Sequence, residues 1–175
     1  MFETGQDRKI AALRTSVCVH FFMIRNRCFM NKYMKVAIKE AKKSLKTGDV
    51  PVGAVIVKNN ELIAKAHNQR EKYQDSTKHA EIICISQACK KLKTWRLDDC
   101  TLYVTLEPCM MCLGAISQAR ISHVIFAASN EKYGCVHNTQ NIVDKFLLNK
   151  IKIESGLYKE ESIELLQEFF KNKRI

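Results

Sequence analysis

From Asn31 onward, apolar side chains recur at a helical period. Met34, Ala37, Ile38, Ala41 and Leu45 line one face, lysines occupy the other, and Gly48 ends the run. The next apolar run, VGAVIV (52–57), predicts a buried strand, and Asn59-Asn60 turns the chain into a second one, ELIAKA (61–66). Residues 67–78 are polar and read as a loop. They lead into HAEIICISQACKKL (79–92), which has helical spacing. TLYVTL (101–106), PCMMCLGAISQA (108–119) and HVIFAA (123–128) read as strand, helix and strand. NIVDKFLL (141–148), IKIE (151–154) and ESIELLQEFFK (161–171) read as helix, strand and helix. Strands alternating with helices predict an α/β domain, one sheet covered by helices on both faces.

Residues 1–30 do not share this patterning. They hold Arg8, Lys9, Arg14, Arg25 and Arg27 around an apolar patch, VCVHFFMI, without a clear period. The expectation is a loosely ordered extension, with the domain itself over 31–175. The patch is short, contains His20 and is followed by Arg25 and Arg27, unlike a signal peptide. No apolar run approaches the roughly 18 residues of a membrane span, so no membrane-crossing helix is expected.

Composition narrows the class further. The length of 175 residues suits one domain, and 46% hydrophobic with 27% charged residues suits a folded core. Lys and Arg number 29 against 18 Asp and Glu, a net charge of +11. Such an excess attracts polyanions, either nucleic acid or an anionic membrane surface. Of the eight cysteines, Cys84 and Cys89 fall inside a helical pattern and Cys100 just before a strand. They read as buried free thiols in a reducing, cytoplasmic setting.

Two helix starts carry the chemistry. One begins His79-Ala80-Glu81; the other begins Pro108-Cys109-Met110-Met111-Cys112. Pro108 suits the first helical position, and cysteines three apart in a first turn project to one side. A helix N-terminus also favours the thiolate that binds metal. One imidazole and two thiolates make three zinc ligands, leaving the fourth position to water, as catalytic sites require. Taken singly, the parts are ambiguous. Cys-x-x-Cys can be a redox pair or half a zinc finger, His79 a capping residue, and Glu81 an acid favoured by the helix dipole. Yet no second pair completes a finger, and a redox pair leaves His79 and Glu81 without a role. A carboxylate two residues from a ligand can take the proton that a metal-activated water gives up.

The order H-x-E…P-C-x-x-C is the signature of the zinc nucleoside and nucleobase deaminases. From Asn31 to Lys173 the chain resembles the tRNA-specific adenosine deaminases, which convert the wobble adenosine of an anticodon to inosine. The closest stretches are DVPVGAVIV (49–57), HAEI (79–82), LYVTLEPCMMCLGAI (102–116), ARISHVIFA (119–127) and the ending LLQEFFK. The resemblance implies a three-layer α/β/α, cytidine-deaminase-like fold with a central mixed five-stranded sheet. It also implies a homodimer, one zinc ion per subunit and a tRNA anticodon stem-loop as substrate. Carried over by position, His79, Cys109 and Cys112 are the ligands and Glu81 the proton shuttle. Asn68 contacts the target nucleoside, and the Ala80 backbone N–H lies beside the reacting base. On its own Asn68 fits a turn residue equally well.

Two departures bear on the substrate. Ser76-Thr77-Lys78 replaces the Pro-Thr-Ala common ahead of the family's His-Ala-Glu. Asn130-Glu131-Lys132 replaces an Asp-Ala-Lys run in a loop that borders the RNA in the family, which makes Asn130 and Lys132 candidate substrate contacts. A neutral Asn130 predicts weaker discrimination against single-stranded DNA, although Asn130 also fits an ordinary loop residue. Guanine deaminases share a stretch like PCMMCLGAI, so a zinc deaminase of free guanine or cytidine is the alternative. The non-enzymatic alternative, a silent zinc module that binds RNA, has no use for Glu81.

Overall fold

The apolar stripe near the start folds as a helix, α1 (residues 30–44), with Tyr33, Met34, Ala37, Ile38 and Ala41 buried. The computed structural model describes residues 30–136 and 151–173. The chain divides into two compact units, Met1–Lys32 and Tyr33–Ile175. The extension expected over 1–30 lies outside the described residues up to position 29, as does the helix expected over 141–148.

One residue leaves the predicted stripe. Leu45 is 41% exposed, whereas Ser44 is buried. The helix tightens at Leu45–Thr47 into a 3-10 turn, which advances each residue about 120° instead of 100° and carries Leu45 off the core face. Gly48 then closes the element in the left-handed conformation, with φ of 71°.

Strand β1 (Gly53–Lys58) pairs antiparallel with β2 (Glu61–His67) through a turn at Asn59 and Asn60. Both asparagines have positive φ, as a two-residue hairpin turn of matching twist demands. On its other edge β1 pairs antiparallel with β3 (Cys100–Leu106), which runs parallel to β4 (His123–Ala128). β5 (Lys152–Ser155) adds parallel to β4, giving the sheet order β2-β1-β3-β4-β5. This is the mixed five-stranded sheet expected.

Alternate side chains of the central strands are buried on both faces. Ala54, Ile56, Leu102, Val104, Val124 and Phe126 form one core with Ala80, Cys84 and Ala88 of α3 (Ala80–Leu92) and Ile116 of α4 (Met110–Gln118). On the opposite face the Tyr103 ring lies tilted against that of Tyr33 of α1, and α5 (Lys159–Lys173) packs against β3 and β4. The closest approach is at Gly53. A Cβ there would lie 2.0 Å from the Ala37 carbonyl oxygen, so only glycine lets α1 cross β1. Cys84, Cys100 and Cys135 are buried free thiols, while Cys89 is partly exposed.

Two local expectations change. The polar run 67–78 contains a short helix, α2 (Arg70–Tyr73). Its sequence has no apolar stripe; buried Asp49 organises it by accepting the Glu71 N–H at 2.7 Å. Pro108 is not the first residue of α4. It lies outside the helix because its carbonyl accepts the Cys135 N–H and the next residue, Cys109, bridges to Gly134 in extended form.

Candidate active site and metal centre

α3 and α4 both begin at the same end of the sheet, and each opens on a chemically active residue. His79 is the N-cap of α3 and Cys109 the N-cap of α4, both with extended backbone. Cys112 follows one turn into α4 and is fully buried. His79 Nδ1 lies 3.5 Å from Cys112 Sγ and 3.7 Å from Cys109 Sγ. The three donor atoms all fall within 4.8 Å of one another. Tetrahedral zinc with bonds of about 2.3 Å to sulfur and 2.0 Å to nitrogen separates such donors by roughly 3.5 Å. The trio therefore fits zinc in donor type and spacing.

Electrostatics mark the cluster as unusual. The Cys109 thiol is pulled down to about 4, first by a hydrogen bond from the Cys112 thiol and then by one from His79, against the opposing cost of burial. Cys112 is pushed up as the donor of that bond and by burial. The imidazolium form of His79 is favoured chiefly by its bond to Cys109. Burial pushes the Glu81 carboxyl up. Glu81 is only 4% exposed, and its Oε2 has no hydrogen-bond partner among the described residues. A buried carboxylate oxygen left open beside such a donor cluster is costly for folding and marks Glu81 as a candidate functional group.

The other expected contacts fall around this centre. Asn68 is buried and its Oδ1 accepts the Ala80 N–H at 2.8 Å. The Ala80 N–H is thus engaged by the protein itself, and Asn68 anchors the start of α3 from the end of β2. The loop after β4 is brought in by the Cys109–Gly134 bridge. There Asn130 Oδ1 accepts the Tyr133 N–H at 3.1 Å, and Lys132 Nζ lies 5.2 Å above the Tyr133 ring. Asn130 is thus a turn-forming residue, whatever else it touches. Three buried acids among the described residues carry no sequence expectation: Glu40, which pairs with Lys43, Asp49, which organises α2, and Glu107, just before Pro108. A charged residue closing an otherwise apolar strand was the available signal for Glu107. No helix among the described residues is long and apolar enough to cross a membrane.

Comparison with known proteins agrees with this geometry. The MafB19-like deaminase family model matches residues 30–174. A tRNA-specific adenosine deaminase of Bacillus subtilis is 49% identical over 143 residues, covering 81% of this chain and 89% of that protein. A solved structure from work on A-to-I editing by tRNA:A34 deaminases superposes with a TM-score of 0.71 at 38% identity, covering 77% of this chain and 99% of its own. A guanine deaminase structure from Bacillus subtilis matches less, at 44% identity and TM-score 0.54 over 56% of this chain and 63% of that one. The sheet order, the His79–Cys109–Cys112 cluster and these similarities together show that the chain belongs to the tRNA-specific adenosine deaminase family.

Proposed function

We propose that this protein hydrolyses the exocyclic C–N bond of the wobble adenosine in a tRNA anticodon loop, leaving inosine and ammonia. The observation that carries the reading is Glu81, buried, with one oxygen unpartnered among the described residues, two residues from His79 in a chain whose relatives are named tRNA-specific adenosine deaminases. One zinc ion per subunit, held by His79, Cys109 and Cys112, would supply the Lewis acidity that makes water nucleophilic at neutral pH. Glu81 takes the proton that water gives up as its oxygen bonds to C6 of the base. It returns that proton to the ring nitrogen, then takes the proton of the new C6 hydroxyl and passes it to the amine, so that the C6–N bond breaks, ammonia leaves and C6 becomes a carbonyl. Asn68, its Oδ1 already engaged, is left with the amide Nδ2 to offer the nucleoside. An anticodon-loop base is already single-stranded, so extruding it costs little.

The test is direct. Zinc-loaded protein is incubated with anticodon stem-loops, free adenosine, guanine and cytidine, and inosine and ammonia are assayed. Turnover of the stem-loop alone is expected; turnover of free guanine or cytidine instead would select the alternative deaminase class.

RNA capture should depend on charge. Lys39 and Lys42 on α1, Lys46 in the 3-10 turn after it, and Lys171 and Lys173 on α5 are exposed, whereas Lys43 is paired with Glu40 at 2.8 Å. If about four phosphates are neutralised, affinity should fall roughly a hundredfold between about 50 and 200 mM salt. Flat binding across that range would favour a small-molecule substrate.

Asn130→Asp preserves the acceptor that Tyr133 uses but removes a donor and adds charge. It should raise the ratio of RNA to DNA rates on matched hairpins containing one target adenine; an unchanged ratio would confine Asn130 to its turn. The family resemblance also supports a homodimer, to which the exposed Met110 and Met111 of α4 offer apolar surface. The buried free thiols support a cytoplasmic setting.

A further inference from the structure

Glu107 closes β3 and precedes the proline that leads into the metal-ligand turn. It is 2% exposed, and each of its carboxylate oxygens accepts a backbone N–H. Oε2 takes that of Asn130 at 2.9 Å; Oε1 takes that of Val136 at 2.8 Å. Both donors belong to the segment after β4, so one carboxylate ties together the two ends of the 130–136 loop. The same loop donates the Cys135 N–H to the Pro108 carbonyl at 3.3 Å, and Gly134 bridges to Cys109.

Gly134 shows how closely the loop sits on this carboxylate. A Cβ built there would lie 2.4 Å from Glu107 Cδ and 2.5 Å from the Asn130 carbonyl oxygen. No side chain fits without moving the loop, so the glycine is required by space rather than by backbone conformation. Asn130, Lys132 and Tyr133 are carried on this loop, and Tyr133 is 63% exposed. Glu107 itself is not among the three clustered metal-ligating side chains, and it is buried beneath the loop.

We propose that Glu107 is a positioning residue, setting the height of the 130–136 loop over the Cys109 turn and thereby the capture of substrate. Its role is served only by a side chain with two acceptor oxygens. A glutamine has the same shape but one acceptor, so one of the two backbone N–H groups then faces another donor. The consequence falls on the loop's exposed face, which meets substrate, more than on Glu81 or the ligands, which sit on α3 and α4. The role of the loop in substrate capture rests on the deaminase reading of this site; its dependence on Glu107 does not.

The experiment uses zinc-loaded full-length protein with Glu107→Gln, Glu107→Asp and Gly134→Ala. For whichever substrate the native enzyme turns over, stem-loop or free base, Glu107→Gln and Gly134→Ala should raise KM about tenfold or more with kcat within about threefold. Zinc content should stay at the native value. Glu107→Asp, which keeps two acceptors, should recover part of the KM. Hydrogen exchange should show faster exchange across 130–136 in Glu107→Gln with α4 unchanged. A lowered melting temperature with native KM would reduce Glu107 to a structural residue and overturn the proposal. So would a fall in kcat at constant KM, loss of zinc, or native protection of the loop amides. Native protein that deaminates a free base rather than the stem-loop would overturn the RNA reading, while the KM and exchange results would still decide the role of Glu107.

Discussion

Glu81→Gln is expected to retain zinc and fold while losing about 10²- to 10⁴-fold in turnover, the usual worth of a positioned general acid–base. The substitution keeps the size of the side chain and removes only its capacity to carry a proton. Glu81 is buried at the second residue of α3, held there by the packing of Ala80, Cys84 and Ala88 against the sheet. A glutamine fits the same space. Because Oε2 has no hydrogen-bond partner among the described residues, an exchange at that oxygen breaks no hydrogen bond there. The melting temperature should therefore stay at or above the native value, since a buried ionisable group is exchanged for a neutral one. Single-turnover deamination of a stem-loop, alongside metal analysis and thermal melting, checks all three. Turnover within tenfold of native would mean that another group moves the proton.

Cys112→Ser should abolish activity by a different route, through loss of the metal. Cys112 is fully buried one turn into α4, with its sulfur 3.5 Å from His79 Nδ1. Serine draws the donor atom back and does not ionise at neutral pH, so zinc content should fall from about one per chain to a small fraction after dialysis. Stability should suffer twice. A buried hydroxyl without a partner costs about 1–3 kcal/mol. The contribution of bound metal also disappears, about 4 kcal/mol where the free ion stands a thousandfold above its Kd. Cys84→Ser is the matched control. Cys84 is equally buried in α3, but its sulfur packs in the apolar core and lies 3.6 Å from the Ala54 carbonyl, away from the His79–Cys109–Cys112 cluster. That variant should lose stability and keep its zinc. If both serine variants retain metal, His79, Cys109 and Cys112 are not the ligand set.

The clustering of His79 with Cys109 and Cys112 was readable before any fold was known because its parts are local. His79 and Glu81 are two residues apart, and Cys109 and Cys112 three; each pair is placed by the first turn of one helix. Helix and strand periods were equally local, so β1 to β4, α3 and α4 fall within a residue or two of where the apolar pattern puts them. Where the backbone departs from its period the pattern misleads. Leu45 looks like core until the helix tightens beneath it. α2 has no apolar stripe and depends on Asp49, 22 residues earlier.

Apolar alternation and helix-start chemistry thus sufficed for an α/β domain with a His-Cys-Cys centre and a nearby acid, because those depend on neighbours along the chain. The strand order, the engagement of Ala80 by Asn68 and the clamp of Glu107 on Asn130 and Val136 belong to the tertiary structure alone. Outside the β1–β2 hairpin, these contacts join residues 12 to 52 positions apart, the widest of them the Gly53 N–H to Thr105 Oγ1 bond within the sheet. Such pairings are chosen by which faces pack together, and no period in the sequence encodes them.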